Sequence, residues 1–154
     1  MQLGELKIGA VAAVNALGDV FDPDTGRQIA GLLSEDGTRL CSTTEAMTAD
    51  TAPKNNRFTG NTTLGVIITN AYFEKTALCK IAGMGHDGLA RSIRPVHTSA
   101  DGDSIYAVSV GDVPADQDLV GTLGAEVLSR AVLRAVTSAE SAYGYPSAAE
   151  LAVR

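Results

Sequence analysis

Gly60-Asn61-Thr62-Thr63-Leu64-Gly65-Val66-Ile67-Ile68-Thr69-Asn70 places a polar turn directly before an apolar run. Gly60 and Asn61 are turn formers, and Leu64, Val66, Ile67 and Ile68 give the nearly continuous, β-branched segment expected of a strand buried on both faces. Thr62 therefore sits where a loop enters a core strand. A hydroxyl there can attack the preceding carbonyl in an N-to-O acyl shift, and hydrolysis of the ester would leave Thr62 as a new amino terminus. An α-amine with a pKa near ~7.7–8.0 can accept the hydroxyl proton at neutral pH, so a terminal threonine carries its own base. Two plainer readings stand beside this one. Asn61-Thr62-Thr63 also fits the three-residue N-glycosylation sequon, which needs a secreted chain. Many threonines at loop-to-strand junctions are simply polar strand ends.

Upstream, Lys7 to Ala16 reads as a second buried strand with Asn15 as its polar interruption. A buried amide without partners costs roughly 2–7 kcal/mol, so Asn15 is either a structural hydrogen-bonder or a site group. Asp22-Pro23-Asp24-Thr25-Gly26 is a turn with proline at its second position, and Arg27 to Leu33 returns as a short strand, which makes the region a hairpin. Ser34 to Thr59 is rich in Ser, Thr, Asp, Lys and Asn and reads as a long exposed loop leading to the Asn61-Thr62 junction.

Downstream, Phe73, Ala77, Leu78, Ile81, Ala82, Gly85, Leu89 and Ile93 recur at helical spacing, with Gly83, Gly85 and Gly88 expected to permit close packing. His86 and Asp87 fall inside this helix. Adjacent helix positions do not face one another, so the pair reads as an exposed or capped histidine rather than a dyad. Pro95 ends the helix. Asp101-Gly102-Asp103 precedes Ser104 to Val110, which alternates as a strand. The two aspartates fit an Asp-Gly turn, or they hold the ammonium of an amino-terminal threonine nearby. Asp116 to Ala142 is a second amphipathic helix, stopped at Tyr143-Gly144-Tyr145-Pro146. Strand, strand, long loop, strand, helix, strand, helix is the order of an α/β or α+β layered domain.

The chain has 154 residues, one domain's worth, and no apolar run approaches the ~18 residues of a membrane helix. Twelve Lys and Arg against eighteen Asp and Glu give a net charge of −6, which argues against a nucleic-acid partner because no cationic face is available for phosphates. Cys41 and Cys79 have no metal-ligand spacing. No metal, cofactor or membrane partner is expected, and a reduced cytoplasmic setting is the default because Met1 to Lys7 lacks the pattern of a signal peptide.

Several of these segments together resemble a known family. Val14-Asn15-Ala16-Leu17-Gly18-Asp19-Val20, Gly60-Asn61-Thr62-Thr63-Leu64, His86-Asp87-Gly88-Leu89-Ala90-Arg91, Ile93-Arg94-Pro95-Val96-His97-Thr98 and Asp101-Gly102-Asp103 are similar, in order, to motifs of the DmpA-type L-aminopeptidase/D-esterase family. That family includes β-aminopeptidases and the NylC nylon-oligomer hydrolase. The resemblance implies an αββα sandwich of the kind shared with ornithine acetyltransferases, and an autoprocessed amidohydrolase acting on small amides, peptides or esters. Cleavage would fall between Asn61 and Thr62, dividing the chain into a segment 1–61 and a nucleophile-bearing segment 62–154. Thr62 would be the nucleophile, Asn15 would stabilise the oxyanion or orient Thr62, and Asp101 and Asp103 would lie beside it.

Family members are roughly twice this length, and their earlier part supplies further site residues, including a catalytic Lys or Tyr. The resemblance therefore covers only a carboxy-terminal half, and the sandwich is expected to be incomplete in this chain. The alternative to an active unit is a noncatalytic remnant or interaction subunit that needs a separate amino-terminal half. In either case bare apolar faces predict a homo-oligomer or a complex with that half, with the helix Asp116 to Ala142 in the contact. Several hundred Å² left uncovered at about 25 cal/mol per Å² amounts to ~10 kcal/mol, comparable with the stability of a whole domain.

Overall fold

A computed structural model of the chain describes residues 1–52 and 60–153. Four strands form the principal sheet: β1 (Gln2–Leu3), β2 (Leu6–Ala13), β5 (Leu64–Ala71) and β7 (Ser104–Val113), in the order β1-β2-β5-β7. β2 pairs antiparallel with β1 and β5, whereas β7 runs parallel to β5 and is reached through helix α2 (Lys75–Ser92). The parallel pairing follows from the connection, because a hairpin cannot return a strand in the same direction and a helical crossover can. Helix α3 (Gln117–Thr137) then runs beside α2. The result is a layered α+β domain, the class expected from the order of elements.

Both long helices lie on one face of the sheet. Leu6 and Ile8 of β2, Ile67 and Ala71 of β5, Ile81 of α2 and Val120 of α3 form one buried cluster, with Ile105 and Ala107 of β7 packed against it. Val20, Leu89, Ile93, Leu128 and Val132 form the second. The helices approach closely along small residues: a Cβ on Gly88 would collide with the Ala125 carbonyl, and Ser92 donates to the Gly88 and Ser129 carbonyls at 2.9 and 3.3 Å. Gly85 sits against Ile67 and Ile105 of the sheet, so two of the three expected packing glycines are used this way. Gly83 faces open space.

The expectation that Lys7 to Ala16 and Thr63 to Asn70 are buried on both faces is corrected. Burial alternates along each strand, with Gly65, Ile67, Thr69 and Ala71 inside and Leu64 exposed on the other face. Val11, Tyr106 and Val110 on that face are 62, 61 and 65% exposed. Their apolar character matches a covered surface, but among the described residues only one helical layer is present, on the opposite side.

The hairpin expected about the Asp22–Gly26 turn is present, with strands shorter than expected: the turn joins β3 (Asp19–Phe21) and β4 (Gln28–Ala30), and these form a separate small sheet with β6 (Ile93–Arg94) in the order β4-β3-β6. Asp22 closes the turn, accepting from the Gly26 N–H on its carbonyl at 2.8 Å and from the Asp24 N–H on its side chain at 2.9 Å. Gly26 has φ +70°, which a glycine adopts without the Cβ penalty.

The segment read as loop from 34 to 59 contains a short helix, α1 (Thr43–Thr48), whose N-cap Ser42 accepts from the Glu45 N–H at 3.2 Å. The part from 53 to 59 lies outside the described residues. Buried Asp19 ties this segment to β3 by accepting from the Leu32 N–H (3.0 Å), the Thr43 N–H (2.7 Å) and the Thr43 hydroxyl (2.6 Å). α3 starts at its N-cap Asp116, whose carboxylate accepts from the Leu119 N–H, and ends at Thr137, five residues before the expected limit. A last helix, α4 (Ala148–Val153), follows Pro146. No helix among the described residues is long and apolar enough to cross a membrane.

Candidate active site

Three chain segments meet at one end of the principal sheet: the exit of β2, the entrance of β5 and the entrance of β7. The β5–β7 pairing extends beyond the strands to a parallel bridge between Asn61 and Asp101. The sheet therefore brings Asn15, Asn61-Thr62 and Asp101-Gly102-Asp103 together, although 45 and 40 residues separate the hydrogen-bonded pairs Asn15–Gly60 and Thr63–Asp103.

The Asn61-Thr62 peptide is held from both sides. On the β2 side the Thr62 N–H donates to the Asn15 carbonyl at 3.0 Å, and the Asn15 side-chain amide donates to the Gly60 carbonyl at 3.0 Å. On the β7 side the Gly102 N–H donates to the Asn61 carbonyl oxygen at 2.9 Å. The Thr62 hydroxyl lies 2.7 Å from that same oxygen. Two donors thus converge on one carbonyl, and one of them belongs to the next residue.

Asn15 differs in setting from what the sequence predicts. β2 ends at Ala13, so Asn15 is exposed beyond the strand rather than buried within it. Its amide has a partner because the chain turns back across the mouth of the sheet, not because burial demands one.

The two aspartates have separate roles in the geometry. Asp101 accepts from the Thr98 N–H at 2.9 Å and the Thr98 hydroxyl at 2.8 Å, closing the turn before β7. Asp103 accepts from the Thr63 N–H at 2.8 Å and lies 3.1 Å from Nδ1 of His97, with its side chain 4% exposed. The neighbouring Thr63 hydroxyl is buried without a hydrogen-bond partner among the described residues.

The reading of His86 as an exposed or capped helical histidine is corrected. Its Nδ1 lies 3.3 Å from Nε2 of His97, with the rings edge to face at a centroid separation of 4.8 Å. Burial first, and then the neighbouring His97, push His86 below the ordinary imidazole range of 6.5, against opposing pulls from Asp103 and Asp87. Asp87 is exposed and takes no direct part. His97 and Gly102 were given no role from the sequence, and His86 was weighed only with Asp87. The available signals were a histidine two residues past a proline and a glycine between two acidic residues, and neither specifies a contact.

Beside the junction opens a cleft of about 1180 Å³ whose lining includes Asn15, Asn61 and Thr98 together with apolar Leu17, Leu32 and Met47. No group of three His, Cys, Asp or Glu among the described residues could hold a metal ion.

The layered α+β chain thus gathers a threonine, an asparagine and a buried carboxylate at one end of its principal sheet. Residues 1–149 match Peptidase family S58, and the chain belongs to that family. This agrees with the resemblance to DmpA-type aminopeptidases read from its motifs. An uncharacterized aminopeptidase of Mycobacterium leprae is 38% identical over 91% of this chain and 43% of its own length. One from Mycobacterium tuberculosis strain H37Rv is 35% identical over 91% of this chain and 46% of its own length. A 6-aminohexanoate-oligomer endohydrolase of a Kocuria species is 28% identical, covering 87% and 42% respectively. The chain thus spans less than half the length of these relatives.

Proposed function

We propose that this chain is the nucleophile-bearing unit of an autoprocessing N-terminal-threonine amidohydrolase, acting on small amides, peptides or esters. The observation that carries this reading is the Asn61-Thr62 peptide clamped between Asn15 and Gly102, with the Thr62 hydroxyl 2.7 Å from the Asn61 carbonyl oxygen. Membership of a peptidase family, and relatives named aminopeptidase and endohydrolase, support it.

In the autoprocessing step Thr62 Oγ1 attacks the Asn61 carbonyl carbon, and its proton passes to the departing amide nitrogen as the C–N bond breaks. The Gly102 N–H stabilises negative charge on the carbonyl oxygen, a role for which a fixed backbone donor is well suited. Water then hydrolyses the ester, giving the Asn61 carboxylate and the Thr62 hydroxyl. The two products are segments 1–61 and 62–154. The new Thr62 amine remains beside the Asn15 carbonyl that held its N–H, and serves as the base for attack on a substrate carbonyl. An acyl group is carried on Thr62 and transferred to water. Asp103, through the Thr63 N–H, keeps the start of β5 in place, and Asp101 fixes the turn that presents Gly102.

Intact-mass spectrometry of the purified chain after long incubation tests this reading. Two associated fragments divided at Asn61-Thr62, absent in Thr62→Ala, are expected. A wild-type chain that stays whole, with hydrolytic activity unchanged in Thr62→Ala, refutes it.

A second reading is favoured by the uncovered sheet face carrying Val11, Tyr106 and Val110. There the chain is a noncatalytic remnant or interaction subunit, and its contact with a homo-oligomeric copy or an amino-terminal half uses this face. α3 is a poorer contact than its sequence suggests, because Val120, Leu128 and Val132 are already buried against the rest of the domain. Light scattering together with activity assays, with and without an added amino-terminal half, separates the readings. Hydrolysis by Thr62 only in the reconstituted complex supports the enzyme, and assembly without any hydrolysis supports the subunit.

A further inference from the structure

We propose that His97 and His86 form a two-imidazole relay that positions Asp103 and exchanges protons between that buried carboxylate and solvent. The proposal rests on the reading of Thr62 as nucleophile, since Asp103 is anchored on the N–H of the next residue. His97 and His86 are therefore positioning residues, acting through Asp103 and not on the substrate.

The tautomers follow from the chain of contacts. Ionised Asp103 only accepts hydrogen bonds, so the His97 Nδ1 at 3.1 Å from its Oδ2 carries a proton. Neutral His97 then offers Nε2 as an acceptor, and His86 Nδ1, 3.3 Å away, carries the proton between the rings. His86 Nε2 is left as the acceptor at the end of the chain of contacts away from Asp103, while His97, its side chain 37% exposed, is the more open of the two rings. A proton arriving at this atom is relayed without accumulating charge: His86 passes its Nδ1 proton to His97 Nε2, and His97 passes its Nδ1 proton to Asp103 Oδ2. The reverse sequence returns Asp103 to the carboxylate. Each ring gains one N–H bond and loses one, so the atoms and charges balance.

The same geometry forbids double protonation. Two imidazolium rings would set one N–H against another across 3.3 Å, so the pair takes up one proton where two separate histidines would take up two. The charged and titratable groups acting on His86 are His97, Asp103 and Asp87. Those facing His97 are His86 and Asp103. Asp101 lies nearby but is engaged with Thr98. His97 sits at φ 57°, a conformation uncommon for residues other than glycine, with its ring between His86 of α2 and Asp103 at the entrance of β7.

Two measurements decide the proposal, one of them independent of cleavage. In the Thr62→Ala chain, imidazole ¹⁵N shifts are followed between about pH 5 and 8, the range in which histidine charge changes. One shared proton and a His97 Nδ1–H tautomer are expected; two histidines titrating independently, one proton each, overturn the relay. In parallel, the rate of Asn61-Thr62 cleavage is followed across the same pH range in His97→Asn, His97→Ala and His86→Asn. Asparagine tolerates the left-handed backbone and keeps an N–H where His97 Nδ1 stood. His97→Asn is expected to retain a rate within a few-fold of wild type at its plateau but to lose the histidine inflection, as is His86→Asn. His97→Ala is expected to lose about 10- to 100-fold, the usual range for removing an orienting partner of a site group. Persistence of the inflection in His97→Asn overturns the relay. A wild-type chain that never cleaves, with hydrolytic activity unchanged in Thr62→Ala, refutes the Thr62 reading alone, and the imidazole titration still decides the histidines.

Discussion

Replacing Gly102 with alanine tests the proposed autoprocessing geometry with a single methyl group. A Cβ at Gly102 would lie 2.8 Å from Thr62 Oγ1 and 3.8 Å from the Asn61 carbonyl oxygen. Ordinary van der Waals contact begins near ~3.4 Å, so either the hydroxyl must swing away or the Asp101 to Asp103 turn must retreat by about half an ångström. The first removes the nucleophile from its carbonyl. The second lengthens the 2.9 Å bond from the Gly102 N–H. A displacement of ~1 Å in a reacting group costs about 100-fold, and loss of one oxyanion donor costs about 100- to 1,000-fold. Half that displacement, with the donor weakened but present, gives an expected slowing of about 10- to 100-fold, or ~1.4–2.7 kcal/mol in the barrier. Folding should change little: Gly102 is exposed, and alanine reduces unfolded-state entropy by ~0.4–1 kcal/mol. The assay is the appearance of the two fragments over time by intact mass, with Tm measured on the same samples. Cleavage within two-fold of wild type at unchanged Tm refutes the clamp, because a methyl group at 2.8 Å from the attacking oxygen cannot be neutral if that oxygen attacks from there.

Three further outcomes follow from buried and half-buried polar groups. Asp19→Ala strands the Leu32 and Thr43 N–H groups and should lower stability by about 3 kcal/mol in urea titrations, with Asp19→Asn recovering part of it; an unchanged midpoint would mean the 31–43 segment is not anchored there. Thr63→Val removes a buried hydroxyl with no partner while leaving the Thr63 N–H on Asp103, so stability should rise by ~1 kcal/mol, and a loss would show that the hydroxyl is satisfied after all. In His86 the proton affinity is depressed in the fold, so its contribution is present above pH 6.5 and is lost as pH falls through the lower folded value. His86→Asn should flatten that part of the stability–pH curve, and an equal slope in the variant would refute the assignment.

The distribution of what was legible follows the range of the interactions. The two long helices, the Asp22–Gly26 turn and the strands flanking Thr62 rest on local periodicity and turn chemistry, and each is where the sequence places it to within a few residues. Colinear motifs also pointed to the family and to Thr62, Asn15, Asp101 and Asp103 before any geometry was known. The sequence could not decide which strands pair. β3 and β4 leave the principal sheet for a small one with β6, a choice settled by buried Asp19 and by the packing of Val20 against Ile93. Bare apolar faces were expected from the resemblance, but not which face of the sheet is bare, because an apolar run records a surface made to be covered without saying which chain covers it. The carbonyl clamp and the histidine pair depend on the β5–β7 register and on the left-handed backbone of His97, which bring residues 40 and 11 apart into contact. A sequence by itself determines which segments have the propensity to be helix, strand or turn. Only the tertiary structure, through non-local hydrogen-bond register, decides which N–H faces which carbonyl at the end of the sheet.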